Sequence, residues 1–295
     1  LNMDYVPKSA IVLGGGVIGC EFASVWKSFG AEVTIIEGLP RLVALEDETS
    51  SKQLERAFRK RKIEFEVGSR FQSHTVNADS VTVNLENGKS FTAEVLLVAV
   101  GRGPVSAGIG YEEQGLTMDR GYVLVDNKCR TNVPGVWAVG DLIPTLQLAH
   151  VGFQEGIMVA EEIAGLNPQP INYDGVPRVT YSEPEVASVG LTTATAKERG
   201  YDIEEISYDL GGNGKSQILK TAGSIKIVQQ KGGPVLGIHM VGDRVGELIG
   251  EAQVIYNWQA DAQDVAPYIH AHPTMNEAMG EAFLALAGKP LHAHA

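Results

Sequence analysis

The chain has 295 residues, 44% hydrophobic and 20% charged, enough for two ordinary domains with substantial cores. No run approaches the roughly eighteen apolar residues of a membrane helix, and a formal net charge of −12 argues against a nucleic-acid surface, which needs clustered Lys and Arg. The only cysteines, Cys20 and Cys129, fit neither a CxxC pair nor a zinc pattern, so both are expected to be reduced, buried and free of metal.

Without a charged-then-apolar leader, the expected location is cytoplasmic. Ser9–Leu13 reads as a buried parallel strand feeding Gly14-Gly15-Gly16-Val17-Ile18-Gly19, a GxGxxG. A helix then runs to Phe29-Gly30, and Val33-Thr34-Ile35-Ile36 forms a second strand ending at Glu37. In this order Gly14 permits a tight turn, Gly16 lets backbone approach a pyrophosphate at the helix N-terminus, and Gly19 allows close helix-on-strand packing. Glu37, twenty-three positions after Gly14, would accept ribose hydroxyls and repel a 2′-phosphate, which favours NAD over NADP. The alternative is a Gly-rich turn with no ligand.

Residues 47–62 read as a helix, 63–67 and Val81–Leu85 as strands, with Phe91 across an Asn87-Gly88 hairpin. A buried strand at 95–100 ends in Gly101-Arg102-Gly103-Pro104, where Gly101 either packs on a cofactor or closes the strand. Residues 131–141 read as a short apolar strand that delivers Asp141 at its exit, a polyol ligand or a turn residue. Leu148-Ala149-His150 precedes a helix over 151–164 with Ile157, Val159, Ala160 and Ile163 apolar. From Val176 the pattern becomes antiparallel: strands at 178–181, 186–189, 203–206, 225–228 and 235–240, with Gly232-Gly233-Pro234 between the last two. Helices follow a Thr192 cap at 193–199 and cover 245–258.

Near the end lies His270-Ala271-His272-Pro273-Thr274-Met275-Asn276-Glu277. Pro273 fits a first helical position, Met275, Ala278, Met279, Ala282, Phe283 and Leu286 make an apolar stripe, and Gly288 stops the helix. Glu277 falls off the stripe and can hold one nitrogen of His272 while the other exchanges protons. Spacing alone leaves two readings, a base with its orienter or a solvated histidine at a helix cap. His270 is the weaker candidate base, and His292 and His294 read as a disordered tail.

Taken together, these segments resemble the pyridine nucleotide disulfide oxidoreductases: Gly14 to Glu21 the NAD fingerprint, Ala99 to Pro104 the strand-end motif, residues 131–141 the FAD motif, and His270 to Glu277 the terminal signature. The resemblance implies an α/β fold with a Rossmann-like NAD-binding domain (1–104), a central segment belonging to an FAD domain (105–171), and an α+β antiparallel-sheet dimerisation domain (172–295). It implies that Gly14, Gly16, Val17, Ile18, Gly19, Glu21 and Glu37 bind NAD, with Glu21 near the nicotinamide and Glu37 on the adenosine ribose. Gly101, Asp141, Leu148, Ala149 and His150 would line the cofactors, with Asp141 on the FAD ribityl chain. His272 would be the acid/base, oriented by Glu277, in a homodimer where it serves the other subunit's disulfide. Dihydrolipoyl-oxidising members imply lipoyl-bearing subunits of 2-oxo acid dehydrogenase or glycine cleavage complexes as partners.

Family members begin with a further GxGxxG unit for FAD and a helix bearing CxxxxC; neither occurs in this sequence. Its opening, Leu1-Asn2-Met3-Asp4-Tyr5-Val6-Pro7, resembles the middle of such proteins. The expectation is a C-terminal portion that binds FAD only with the absent segment and is inactive alone. Two alternatives stand beside it: a non-catalytic NAD-binding and dimerisation fragment, or another disulfide reductase of the family, which would carry basic residues where Glu37 stands.

Overall fold

Four parallel strands organise the first part of the chain, and a computed structural model describes residues 3–292. Leu1, Asn2 and His294 of the expectations above lie outside the described residues. β1 (Ser9–Leu13) leads through the glycine turn into α1 (Val17–Ser28), then β2 (Glu32–Ile36), α2 (Glu48–Lys60) and β3 (Ile63–Glu66). An antiparallel excursion of β4 (Phe71–Val76), β5 (Val81–Leu85) and β6 (Ser90–Ala93) precedes β7 (Val95–Val98). The parallel sheet runs β3-β2-β1-β7, so the central β1 is dry on both faces, as its apolar sequence requires.

Two expectations change here. The strand at 95–100 is shorter, ending at Val98, and it is the sheet's edge rather than a buried strand, with Val98 60% exposed. β4 was not foreseen because all six of its residues are exposed and its Gln72-Ser73-His74-Thr75 sequence lacks apolar alternation; it pairs along β5.

The chain divides into two compact units. One takes in residues up to Val100 and again from Pro177, and the other is Gly101–Val176. Within the second, β8 (Met118–Asp119) and β9 (Tyr122–Val123) form a small hairpin, and α3 (Ala149–Ile163) packs Met158 with Val123, Cys129, Ala138 and Ile143. Residues 131–141 form no strand: a single bridge joins Arg130 to Trp137, and Gly140–Leu142 make one 3₁₀ turn. α3 begins two residues earlier than expected, so Ala149 and His150 open the helix. Its buried residues are Val151, Glu155 and Met158; of the expected apolar positions Val159 packs against this core, and Ile157 and Ile163 are exposed.

The remainder of the first unit is a five-stranded antiparallel sheet ordered β10-β11-β14-β13-β12. Its strands are β10 (Arg178–Thr180), β11 (Glu185–Gly190), β12 (Ile203–Asp209), β13 (Ser224–Gln230) and β14 (Val235–Gly242). β14 is buried throughout, and α6 (Val245–Asn257) and α8 (Asn276–Leu286) contribute to the same core through Leu248, Ala252, Met279 and Phe283. α4 (Thr193–Glu198) starts at the foreseen cap, where the Thr192 side chain accepts from Thr195 N. Short helices α5 (Gly214–Leu219) and α7 (Ala262–Val265) complete the unit, capped by Asn213 and by an Asp261–Asp264 capping box.

Candidate functional site

The turn between β1 and α1 needs its glycines for steric reasons. Gly14 takes φ +110°, and an added Cβ would collide with the Ala99 carbonyl at the end of β7. At Gly19 a Cβ would collide with the Gly14 carbonyl, so this residue lets α1 pass close over the turn. Gly16, the helix N-cap, has open space where a Cβ would lie and offers no side-chain cap. The first-turn N–H groups of α1, including those of Val17 and Ile18, therefore face a space fit for an anion. Both of those side chains are exposed.

Glu37 closes this turn from β2. One carboxylate oxygen accepts from Gly15 N at 2.6 Å and the other from Leu39 N at 2.7 Å. Each oxygen keeps further lone-pair capacity for a hydroxyl donor. Glu21, on α1, accepts from Tyr181 N at 2.8 Å and so ties the helix to the turn after β10. The two cysteines are free and buried, and both thiols are pushed up to about 12, chiefly by burial, which leaves them unreactive.

In the second unit Gly101 takes φ +133°. Asp141 is exposed on its 3₁₀ turn, 3.9 Å from Arg102. That turn hangs on Glu155, a fully buried carboxylate that accepts from Gly140 N at 2.6 Å, the Thr145 hydroxyl at 2.8 Å and the Tyr173 hydroxyl at 2.9 Å. Leu148 is the N-cap of α3, followed by Ala149 and His150 in its first turn.

The terminal histidine differs from expectation in how it is held. Pro273 is not at a first helical position: the His272–Pro273 peptide is cis and α8 begins only at Asn276, after Thr274 and Met275 make a turn. Thr274 supplies that turn, its N donating to Glu277 Oε2 at 2.8 Å and its hydroxyl to Ala271 O at 2.6 Å. Glu277 Oε1 lies 2.8 Å from His272 Nδ1, as the spacing suggested. The His272 side chain is 79% exposed, and its Nε2 has no partner among the described residues. Burial raises the Glu277 carboxyl, but the Thr274 N–H and His272 outweigh it and hold the group below its ordinary value. Gly288 ends the helix at φ +75°. His292 is no loose tail, since its N and Nδ1 both bond Glu281, at 2.9 and 2.8 Å.

Several residues around this turn were invisible in the sequence. Glu251 on α6 meets His270 and Asn276, and Asn213 before α5 donates to Thr274 O. These partners lie 19 to 61 positions apart, outside any local spacing rule. Nothing in the sequence set Glu155 apart from Glu161 and Glu162 in the same helix.

The chain has relatives among known proteins. Residues 1–156 match the model of the pyridine nucleotide-disulphide oxidoreductases, and residues 176–283 match the dimerisation domain of the same family. The mitochondrial dihydrolipoyl dehydrogenase of Schizosaccharomyces pombe is 41% identical across 99% of this chain, which covers 59% of that protein. A dihydrolipoyl dehydrogenase of Bacillus subtilis is 38% identical over 99% of the chain, which covers 63% of it. The chain thus spans about three-fifths of the length of these relatives. Among solved structures, LpdA of Mycobacterium tuberculosis superposes with a TM-score of 0.90 at 26% identity over 97% of this chain and 63% of its own. The HOCl-induced flavoprotein disulfide reductase RclA of Escherichia coli gives 0.88 at 25% identity over 96% of this chain and 66% of its own.

Proposed function

The chain belongs to the pyridine nucleotide-disulphide oxidoreductase family, and we propose that it supplies the NAD-binding, dimerisation and proton-transfer portions of a dihydrolipoyl dehydrogenase. The observation that carries this reading is the His272–Glu277 contact, 2.8 Å at Nδ1, on an exposed turn. A carboxylate at Nδ1 keeps the proton there and leaves the Nε2 lone pair as the base. His272 would take the proton of a dihydrolipoyl thiol at Nε2, and the resulting thiolate would attack a disulfide. Glu277 stabilises the imidazolium so formed, and the proton is later released from Nε2.

That disulfide is not built from Cys20 and Cys129, which are buried and free, so the reaction uses sulfurs from outside this chain. FAD, when bound, supplies the electron relay between the dithiol and NAD. The residues present fit it in part: Asp141, held out on the turn that Glu155 fixes, would accept from the hydroxyls of the ribityl chain, and Leu148, Ala149 and His150 would present the opening of α3. The open N-terminus of α1 would take the NAD pyrophosphate and Glu37 the adenosine ribose, with residues 1–104, 105–171 and 172–295 as the NAD-binding, central and interface segments. Partners would be a second copy and lipoyl-bearing subunits of 2-oxo acid dehydrogenase or glycine cleavage complexes.

The nicotinamide part is testable on the chain as it stands. Titration with NADH and NADPH, followed by nucleotide fluorescence, should show saturable NADH binding at least about tenfold tighter than NADPH, the effect of roughly one unfavourable charge contact. Equal affinities, or a preference for NADPH, would remove the reading of Glu37 and favour another reductase of the family.

A further inference from the structure

Glu251 is 26 residues upstream of Glu277, on a different helix, yet it grips the chain on both sides of His272. Its Oε1 lies 2.8 Å from His270 Nε2, and its Oε2 accepts from Asn276 Nδ2 at 2.8 Å. One carboxylate therefore spans residues 270 to 276, with His272 between its two contacts. We infer that Glu251 is the positioning residue of His272, a clamp from α6 that fixes the orientation in which the histidine meets Glu277; its catalytic meaning rests on the proton-transfer reading above.

Three further observations support a clamp rather than a chance surface contact. The His270 side chain is only 12% exposed and lies against Gly280, where an added Cβ would sit 2.6 Å from Nδ1, so His270 is wedged between α6 and α8. The contact is charge-assisted: the Glu251 hydrogen bond raises the His270 pKa against the opposing effect of burial. Burial raises the Glu251 carboxyl, but His270 and Asn276 outweigh it and hold it below its ordinary value. Finally, Asn213 holds the same turn from another side, its Nδ2 donating to Thr274 O at 3.1 Å while its Oδ1 accepts from Ser216 N at 2.9 Å. Residues 270, 271, 274, 276 and 277 are thus all pinned, and the imidazole of His272 is the exposed group on a fixed frame.

The test reads the histidine ring itself. In the chain carrying ¹⁵N-labelled histidine, the wild type should show one His272 environment with the proton on Nδ1. In Glu251→Ala the tautomer ratio should move about fivefold toward that of free imidazole, the equivalent of one lost hydrogen bond. Glu251→Gln, which can still accept from Asn276 and donate to His270, should restore most of the wild-type signal. Should Glu251→Ala not fold, Asn276→Ala, which releases one oxygen only, gives the same readout and should shift the ratio in the same direction. An unchanged His272 signal in the folded Ala variant, or a Gln variant no closer to wild type than Ala, would overturn the clamp. The readout is separate from turnover: an unchanged signal beside a turnover that still depends on His272 defeats the clamp alone, and a shifted signal without that dependence defeats the function alone.

Discussion

At His272 the two ring nitrogens differ because only one meets a carboxylate. Glu277 occupies Nδ1 and is itself fixed by the Thr274 N–H, so the orientation of the ring is set within the turn itself. Glu37 works in the same manner at the other site, one side chain that shapes the turn through Gly15 and Leu39 and also presents negative charge. Glu37→Arg should therefore weaken NADH binding by at least about tenfold and abolish its advantage over NADPH, measured by the same fluorescence titration; retained selectivity would mean that another residue reads the ribose. Both acids were legible in the sequence because each stands at a fixed distance from its partner motif. Glu251, Asn213 and Glu155 were not, since their partners are brought to them only by packing.

Elements were legible where period and punctuation agreed. β1, α1, the Asn87-Gly88 hairpin and the Thr192 cap follow from local sequence, whereas β4 is wholly exposed and α5 and α7 are a turn or so long, too short to show a period. Of the apolar positions expected on α3, Val159 packs against the core and Ile157 and Ile163 are exposed, while the carboxylate of Glu155 is buried. α2 shows how a cap joins elements: Asp47 accepts from Thr49 N at the helix start, from Lys226 Nζ on β13 at 3.1 Å and from Thr193 N at the start of α4. Burial works against its ionisation and a charged His239 would favour it; because burial drives the fully enclosed His239 toward its neutral form, the Thr49 N–H and Lys226 are what hold the Asp47 carboxyl below its ordinary value. A depressed carboxyl contributes stability above its ordinary value of 3.8, lost as pH falls toward 2. Asp47→Asn should cost on the order of 2 kcal/mol at pH 7. Thermal melts should show its deficit shrinking below pH 4, and a deficit independent of pH would contradict the assignment.

For the whole molecule the proposed proton transfer would call for a second copy of this chain. Its match to a dimerisation domain is accompanied, in the first unit, by exposed Trp258, Tyr268 and Ile269, at 82%, 70% and 98%. Large aromatic and aliphatic groups so exposed are what an interface core uses. Sedimentation should give a species of twice the 31.6 kDa chain mass, and a single-chain species at micromolar concentration would contradict the homodimer. The central claim is that His272 moves the thiol proton in dihydrolipoyl oxidation. Its most direct test is steady-state oxidation of dihydrolipoamide by NAD, with His272→Gln placed in an intact flavin-loaded enzyme that also carries the redox disulfide. Turnover should fall about 10²- to 10⁴-fold while NADH binding is retained, and turnover equal to that of the unaltered protein would contradict the account.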